Sequence, residues 1–259
     1  MNIERYLNLP IDDRLDFIKP YLDKIINILN NYHNLPIKNK MIAVLDNESF
    51  ELESDFIEIK LKEILNYPIL NKFINKYFFK NENYWGVNTI NINNNFTYNN
   101  KITNIVLVIN KYPLFNLIYE HSSNNIYIGV RLLGCYLSEN FDLNIEKVKW
   151  ELEKNDKLLV LNKDIGLIND KNNNKLNNFI NYFLDDHIEL VNDDYFCLIK
   201  EFIINKCELG LIVSQLFIVE LLSYYNILKS LGYHIVNEDN LSINFDDLNI
   251  IYDFLIVKN

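Results

Sequence analysis

Alanine is almost missing from this chain. Of 259 residues one is Ala (Ala43), one is Gln (Gln215) and three are Arg (Arg5, Arg14 and Arg131). Asparagine takes up the difference with 44 positions. Residues with AT-rich codons replace those with GC-rich codons throughout, which is the bias of an AT-rich genome. Runs of Asn and a shortage of Arg therefore carry little functional weight on their own.

Glycine and proline are also scarce, at 6 and 5 residues. With 49% hydrophobic and 14% aromatic residues, that scarcity excludes a disordered chain and supplies a large core. The glycines are scattered, so neither GxGxxG nor GxxxxGK[ST] occurs and the common phosphate-cradling loops are absent. No GxSxG elbow and no HExxH helix is present. The three cysteines, Cys135, Cys197 and Cys207, lie far apart without a CxxC pair. That excludes a disulfide framework and a local zinc site, and suits buried thiols in a reducing compartment.

No basic segment followed by an apolar one opens the chain, so no signal peptide is read there. The most apolar run, residues 209–219, is bracketed by Glu208 and Glu220 and interrupted by Ser214 and Gln215, too polar to span a bilayer. Asn-x-Ser/Thr triplets at Asn47, Asn95 and Asn240 are expected by chance in so Asn-rich a chain. Together these absences predict a soluble, intracellular, cytoplasmic protein. The net charge of −10, from 35 acidic against 25 basic residues, disfavours non-specific nucleic-acid binding and suits a basic protein partner.

Periodicity organises what is present. Ile11, Leu15, Ile18, Leu22, Ile25, Leu29 and Tyr32 recur at spacings of four and three, one stripe of an amphipathic helix. Asp12, Asp13 and Asp16 favour its start, and Pro20 predicts a kink or a division. Residues 40–46 read as a buried strand. Residues 50–61 fit a strand or a helix, and Pro68 opens an expected helix with Phe73, Ile74, Tyr77 and Phe78 on one face. Residues 87–93, 102–109 and 126–137, rich in β-branched and aromatic side chains, predict a sheet, with 114–119 a further strand or a short helix. Beyond Asn140 the pattern predicts helices over 145–155, 176–184, 195–204, 209–231 and 245–257, with a short strand at 158–161 and a loop at 169–178. The expected fold is α+β: a small, mainly antiparallel sheet with flanking helices in the N-terminal half (1–140) and a helical C-terminal portion (141–259). Either two regions divide near 138–144 or one domain is continuous.

Candidate sites were sought among the charged clusters. The four histidines, His33, His121, His187 and His234, are too separated to form a local ligand pair. Asp170-x-Asn172-x-Asn174 opens like a calcium loop, but Lys175 and Asn181 replace the required Gly and Glu. Asp185-Asp186-His187 reads as a polar helix end. One constellation remains: Asp46 at the end of a strand, then Glu58 and Lys60 in SDFIEIKLKEI, where alternation along residues 55–61 puts Glu58 and Lys60 on one strand face. Two carboxylates on adjacent strands can hold Mg²⁺ while a lysine activates the attacking water. Helix, strand with Asp, strand with ExK, then helix resembles the core of PD-(D/E)xK nucleases over about residues 11–79. That resemblance implies catalytic Asp46, Glu58 and Lys60 with Mg²⁺.

Elimination nevertheless puts another role first: a non-enzymatic, acidic protein-interaction or inhibitory protein with no cofactor. Its interface anchors would be Tyr224, Tyr225 or the Trp85 region. The metal-dependent nuclease is the alternative.

Overall fold

The computed structural model describes residues 3–35, 49–70, 82–91, 101–148, 157–161, 188–191, 209–237, 241–243 and 251–258. A 3-10 turn over Ile3–Asn8 leads into helix α1 (Ile11–His33). Its apolar stripe is buried from Ile18 onward, with Ile18, Leu22, Ile25 and Leu29 inaccessible to solvent, whereas Ile11 at its start is 62% exposed. Each such side chain contributes about 2 kcal/mol relative to exposure. The helix runs unbroken through Pro20, contrary to a division there. Pro20 lies on the exposed face, where water can satisfy the carbonyl that proline leaves unpaired. Arg14 ties the helix to the preceding turn, its guanidinium donating to the Leu9 and Leu7 carbonyls and lying 5.5 Å over the Tyr6 ring.

Helix α2 (Ser49–Ile64) settles the ambiguous segment in favour of a helix, with Ile57 and Leu61, four residues apart, fully buried. Seven strands follow: β1 (Ile69–Leu70), β2 (Tyr84–Asn91), β3 (Lys101–Ile109), β4 (Tyr112–Glu120), β5 (Asn125–Val130), β6 (Gly134–Ser138) and β7 (Glu146–Lys147). They pair in sequence order, antiparallel except for the parallel β1–β2 contact. The helix expected from Pro68 instead starts as β1, because the Pro68 carbonyl accepts from the Trp85 amide and draws the chain onto the sheet edge. The helix expected from residue 145 starts as β7 for the same reason, an edge left open by β6. The apolar stretch 126–137 is two strands, parted by the turn at Arg131–Leu133.

A second, mixed sheet has the order β11-β12-β10-β8-β9, from β8 (Lys157–Leu161), β9 (Ile188–Val191), β10 (Leu209–Phe217), β11 (His234–Val236) and β12 (Ile251–Lys258). Here the expected helices at 209–231 and 245–257 need correction. Residues 209–217 are a strand that continues into helix α3 (Ile218–Ser230), and 251–258 are a strand. A strand paired on both sides, as β10 is, has the same unbroken apolar run as a buried helix, so periodicity cannot separate them.

The mixed α+β class with a mainly antiparallel sheet and flanking helices is what the structure shows. The main core lies between the first sheet and α1 with α2, where Trp85, Phe115, Leu117 and Ile128 meet Leu22, Ile25 and Ile57. Helix α3 covers the opposite face, against β4 and β5. Among the described residues no helix is long and apolar enough to cross a membrane.

Candidate functional site

The face of the first sheet under α3 is polar where a core is usually apolar. Asn104 on β3 and Asn116 on β4 are fully buried. The Asn104 amide donates to the Tyr224 hydroxyl of α3 at 3.2 Å, and the Asn226 amide of α3 donates to the Pro113 carbonyl at 3.1 Å. The helix sits this low because Gly129 has no side chain. A Cβ there would lie 2.5 Å from the Ile227 backbone nitrogen and 2.8 Å from Asn116 Oδ1.

The first sheet has two unlike ends. At one end β4 finishes at Glu120 and a four-residue turn leads to β5. Glu120 and His121 are each only 4% exposed, and Thr103 is fully buried. Such groups persist away from water only when hydrogen-bonded. Glu120 accepts from the Ser123 hydroxyl, and His121 Nε2 lies 2.9 Å from Thr103 Oγ1. Tyr119 meets His33 Nδ1 at 3.0 Å through its hydroxyl, and its ring centroid lies 4.2 Å from that of His121. This polar end offers two imidazoles, a carboxylate and hydroxyls in fixed positions, a set able to hold and pass protons.

At the other end, the last turns of α3 meet the β5–β6 turn around an open cleft of about 460 Å³. Arg131 and Lys229 line it together with Tyr112 and Tyr225. The Arg131 guanidinium lies 5.0 Å over the Tyr112 ring. Burial raises the Tyr225 phenol above its ordinary pKa, with Arg131 pulling the other way, so it remains a proton donor at neutral pH.

Of the residues singled out in the sequence, Asp46 lies outside the described residues. Glu58 and Lys60 are on α2, not on a strand. Residues two apart on a helix point about 200° apart, so these two do not converge. The Lys60 ammonium reaches Glu63 instead, at 2.8 Å. Trp85 and Tyr224 are buried, which removes both as exposed interface anchors; Tyr225 is partly exposed in the cleft. Gly129, the buried amides, Glu120 with His121, and the Arg131–Lys229 pair escaped the sequence. The one available signal was Arg131, conspicuous in a chain with three arginines.

No family model matches the chain, and no curated protein matches its sequence. Solved structures do match its fold. The structure resembles an IMPase/NADP phosphatase complexed with NADP and Ca²⁺ (TM-score 0.68, 12% identity, 94% of this chain and 91% of the other). It also resembles inositol monophosphatase II of Staphylococcus aureus (TM-score 0.66, 15% identity, 88% and 85%) and the IMPase of Thermotoga maritima (TM-score 0.62, 12% identity, 95% and 92%). The matched folds are those of phosphatases, and one holds a divalent cation. This overturns the expectation of a non-enzymatic interaction or inhibitory protein, the nuclease alternative, and the expectation of no cofactor. At such low identity the likeness shows the fold: over nearly its whole length, this chain is built like an inositol monophosphatase.

Proposed function

We propose that this chain is a phosphatase-type protein whose substrate is a phosphate monoester of a small polyol or nucleotide. The observation that carries the reading is the length of the fold likeness. It takes in 88–95% of this chain and 85–92% of three phosphatase structures. Inositol monophosphate and NADP enter as substrate classes from the names and ligands of those structures.

A divalent cation in such a protein supplies charge neutralisation of the phosphoryl group and activation of water. The described residues do not fit one. Among them no group of three or more His, Cys, Asp or Glu side chains could hold a metal ion. Glu120, the buried carboxylate at the polar end, already accepts from Ser123. Asn104 Oδ1 is a buried oxygen with no hydrogen-bond partner among the described residues, but it is a neutral amide. Hard cations are held chiefly by carboxylates.

At the polar end the chain's own residues position two imidazoles, His121 buried and His33 half-buried. Thr103 fixes the His121 ring at Nε2, and Tyr119 fixes His33 at Nδ1, so each imidazole is held in one orientation for proton transfer. The test is release of inorganic phosphate by the purified chain, with Mg²⁺ supplied, from inositol monophosphate and NADP. Release from either supports the reading. No release from either, with no ester raising the melting temperature, removes it.

A further inference from the structure

The cleft beside α3 is not accounted for by the phosphatase reading, and its chemistry is unlike that of the polar end. In a chain of net charge −10, its ten lining residues include Arg131 and Lys229 and no Asp or Glu. A third cation stands at the rim. Lys147 packs on Gly134, a lining residue, with Lys147 Cε 2.8 Å and Nζ 3.4 Å from where a Cβ on that glycine would sit. Among the described residues Arg131, Lys147 and Lys229 make no ion pair with a carboxylate, and Lys229 meets His234 at 3.2 Å in solvent. Lys229 also lies in the last turn of α3, where its charge offsets the negative end of the helix.

The backbone adds a second, independent sign. Leu132 has φ of 64°, in the left-handed region. For a side chain of that kind the conformation costs about 1–2 kcal/mol. Elsewhere the chain enters that region at Asn110, Lys111, Asn124, Asn140 and Phe141. The cleft turn carries a leucine that is 67% exposed. That side chain gives the rim of the cleft an apolar surface that a ligand can cover.

We propose that the cleft is a binding site for a small organic phosphate. Its phosphate rests on Arg131 and Lys229, and its ring or apolar body lies against Tyr112, Tyr225 and Leu132. The volume, about 460 Å³, suits a ligand of nucleotide size. Guanidinium supplies paired donors to phosphate, lysine a point charge, and the tyrosines apolar faces with hydroxyl donors. The site is separate from the polar end and stands whether or not the chain hydrolyses an ester.

The test is calorimetric titration of the whole chain with AMP in EDTA, where binding routed through a divalent cation is silent. Saturable binding of AMP is expected. Arg131→Gln or Lys229→Gln each weakens it about tenfold, the loss of one charge-assisted contact. The double variant abolishes it. Adenosine and inorganic phosphate each bind at least about tenfold more weakly than AMP, because each keeps half of the contacts. Both replaced side chains lie at the surface, and an unchanged melting temperature separates lost binding from lost fold. Absence of saturable AMP binding by the native chain overturns the site, and so does native affinity in the double variant. Adenosine binding as tightly as AMP overturns the role of the cations. Failure of phosphate release alone leaves this site untouched, as failure here leaves the phosphatase reading untouched.

Discussion

The two ends of the first sheet share strands and differ in almost every other respect. At the polar end Glu120, His121 and Thr103 are withdrawn from water and meet neighbouring side chains, with the rings of Tyr119 and Tyr32 packed on His121. At the cleft end Arg131 and Lys229 face open space, and the backbone at Leu132 is held in an unfavourable conformation. Buried polar groups are costly unless satisfied, and here Glu120, Thr103 and His121 Nε2 each have a side-chain partner. Exposed charges cost little to leave unpaired, so the cleft is free to wait for a ligand. The difference separates positions that hold the fold from positions that serve binding, and it can be broken by substitution.

The largest expected effect strikes the seating of α3 on the sheet. Gly129→Val places carbon within 3 Å of the α3 backbone, and a helix cannot yield as a flexible side chain does. A loss of about 3 kcal/mol is expected in urea unfolding, in the upper range for overpacking. Next comes the polar end alone. Thr103→Val keeps the shape but leaves His121 Nε2 without its hydroxyl partner, for an expected loss of about 1–2 kcal/mol and no change in AMP binding. If this variant is as stable as the native chain, the polar end is not the fixed network described.

Alkaline pH sharpens the same contrast. Burial pushes the Cys135 thiol on β6 from an ordinary 9.0 up to about 12, and raises Tyr6 and Tyr84 as well. Above the ordinary thiol value the unfolded chain gives up a proton that the folded chain keeps. Stability is therefore complete below that value and falls as pH rises toward about 12, by at most about 1.4 kcal/mol per pH unit for each such group. A urea midpoint that stays flat over this interval would contradict the burial of these groups.

The smallest effects belong to the cleft. Arg131→Gln should leave unfolding within about 0.5 kcal/mol of native, as surface substitutions do. Leu132→Asn should gain about 0.5–1 kcal/mol by relieving the left-handed turn, while weakening AMP binding. Destabilisation by Leu132→Asn would show that the leucine serves the fold and not a ligand.

Local pattern made part of this molecule legible. The α1 stripe from Ile18 to Tyr32 follows from the 3.6-residue period, and β2 and β3 from their β-branched and aromatic residues. In β3 and β4 every residue from Ile102 to Ile109 and from Pro113 to Glu120 is buried, so no two-residue alternation marks them. The C-terminal strands were not legible. β10 is flanked by β12 and β8, so its sequence, LGLIVSQLF, has no polar alternation to distinguish it from a helix core. Glu58 and Lys60 suggested a strand because Ile57, Ile59 and Leu61 alternate. Burial of Ile57 and Leu61 with Ile59 59% exposed is instead the signature of a helix face. The cleft joins Arg131 to Lys229 across nearly a hundred residues, and no local window contains that pair. Asn104, Asn116 and Asn226 were hidden differently, by the abundance of asparagine everywhere else.

The central claim, that a phosphatase fold here acts on a small phosphate ester, is met most directly by one rate. The initial rate of phosphate release from inositol monophosphate is followed with the purified chain and Mg²⁺. Release that rises in proportion to protein concentration and saturates with ester is the predicted result. A rate indistinguishable from that of buffer with Mg²⁺ alone, across the full range of ester, would contradict it.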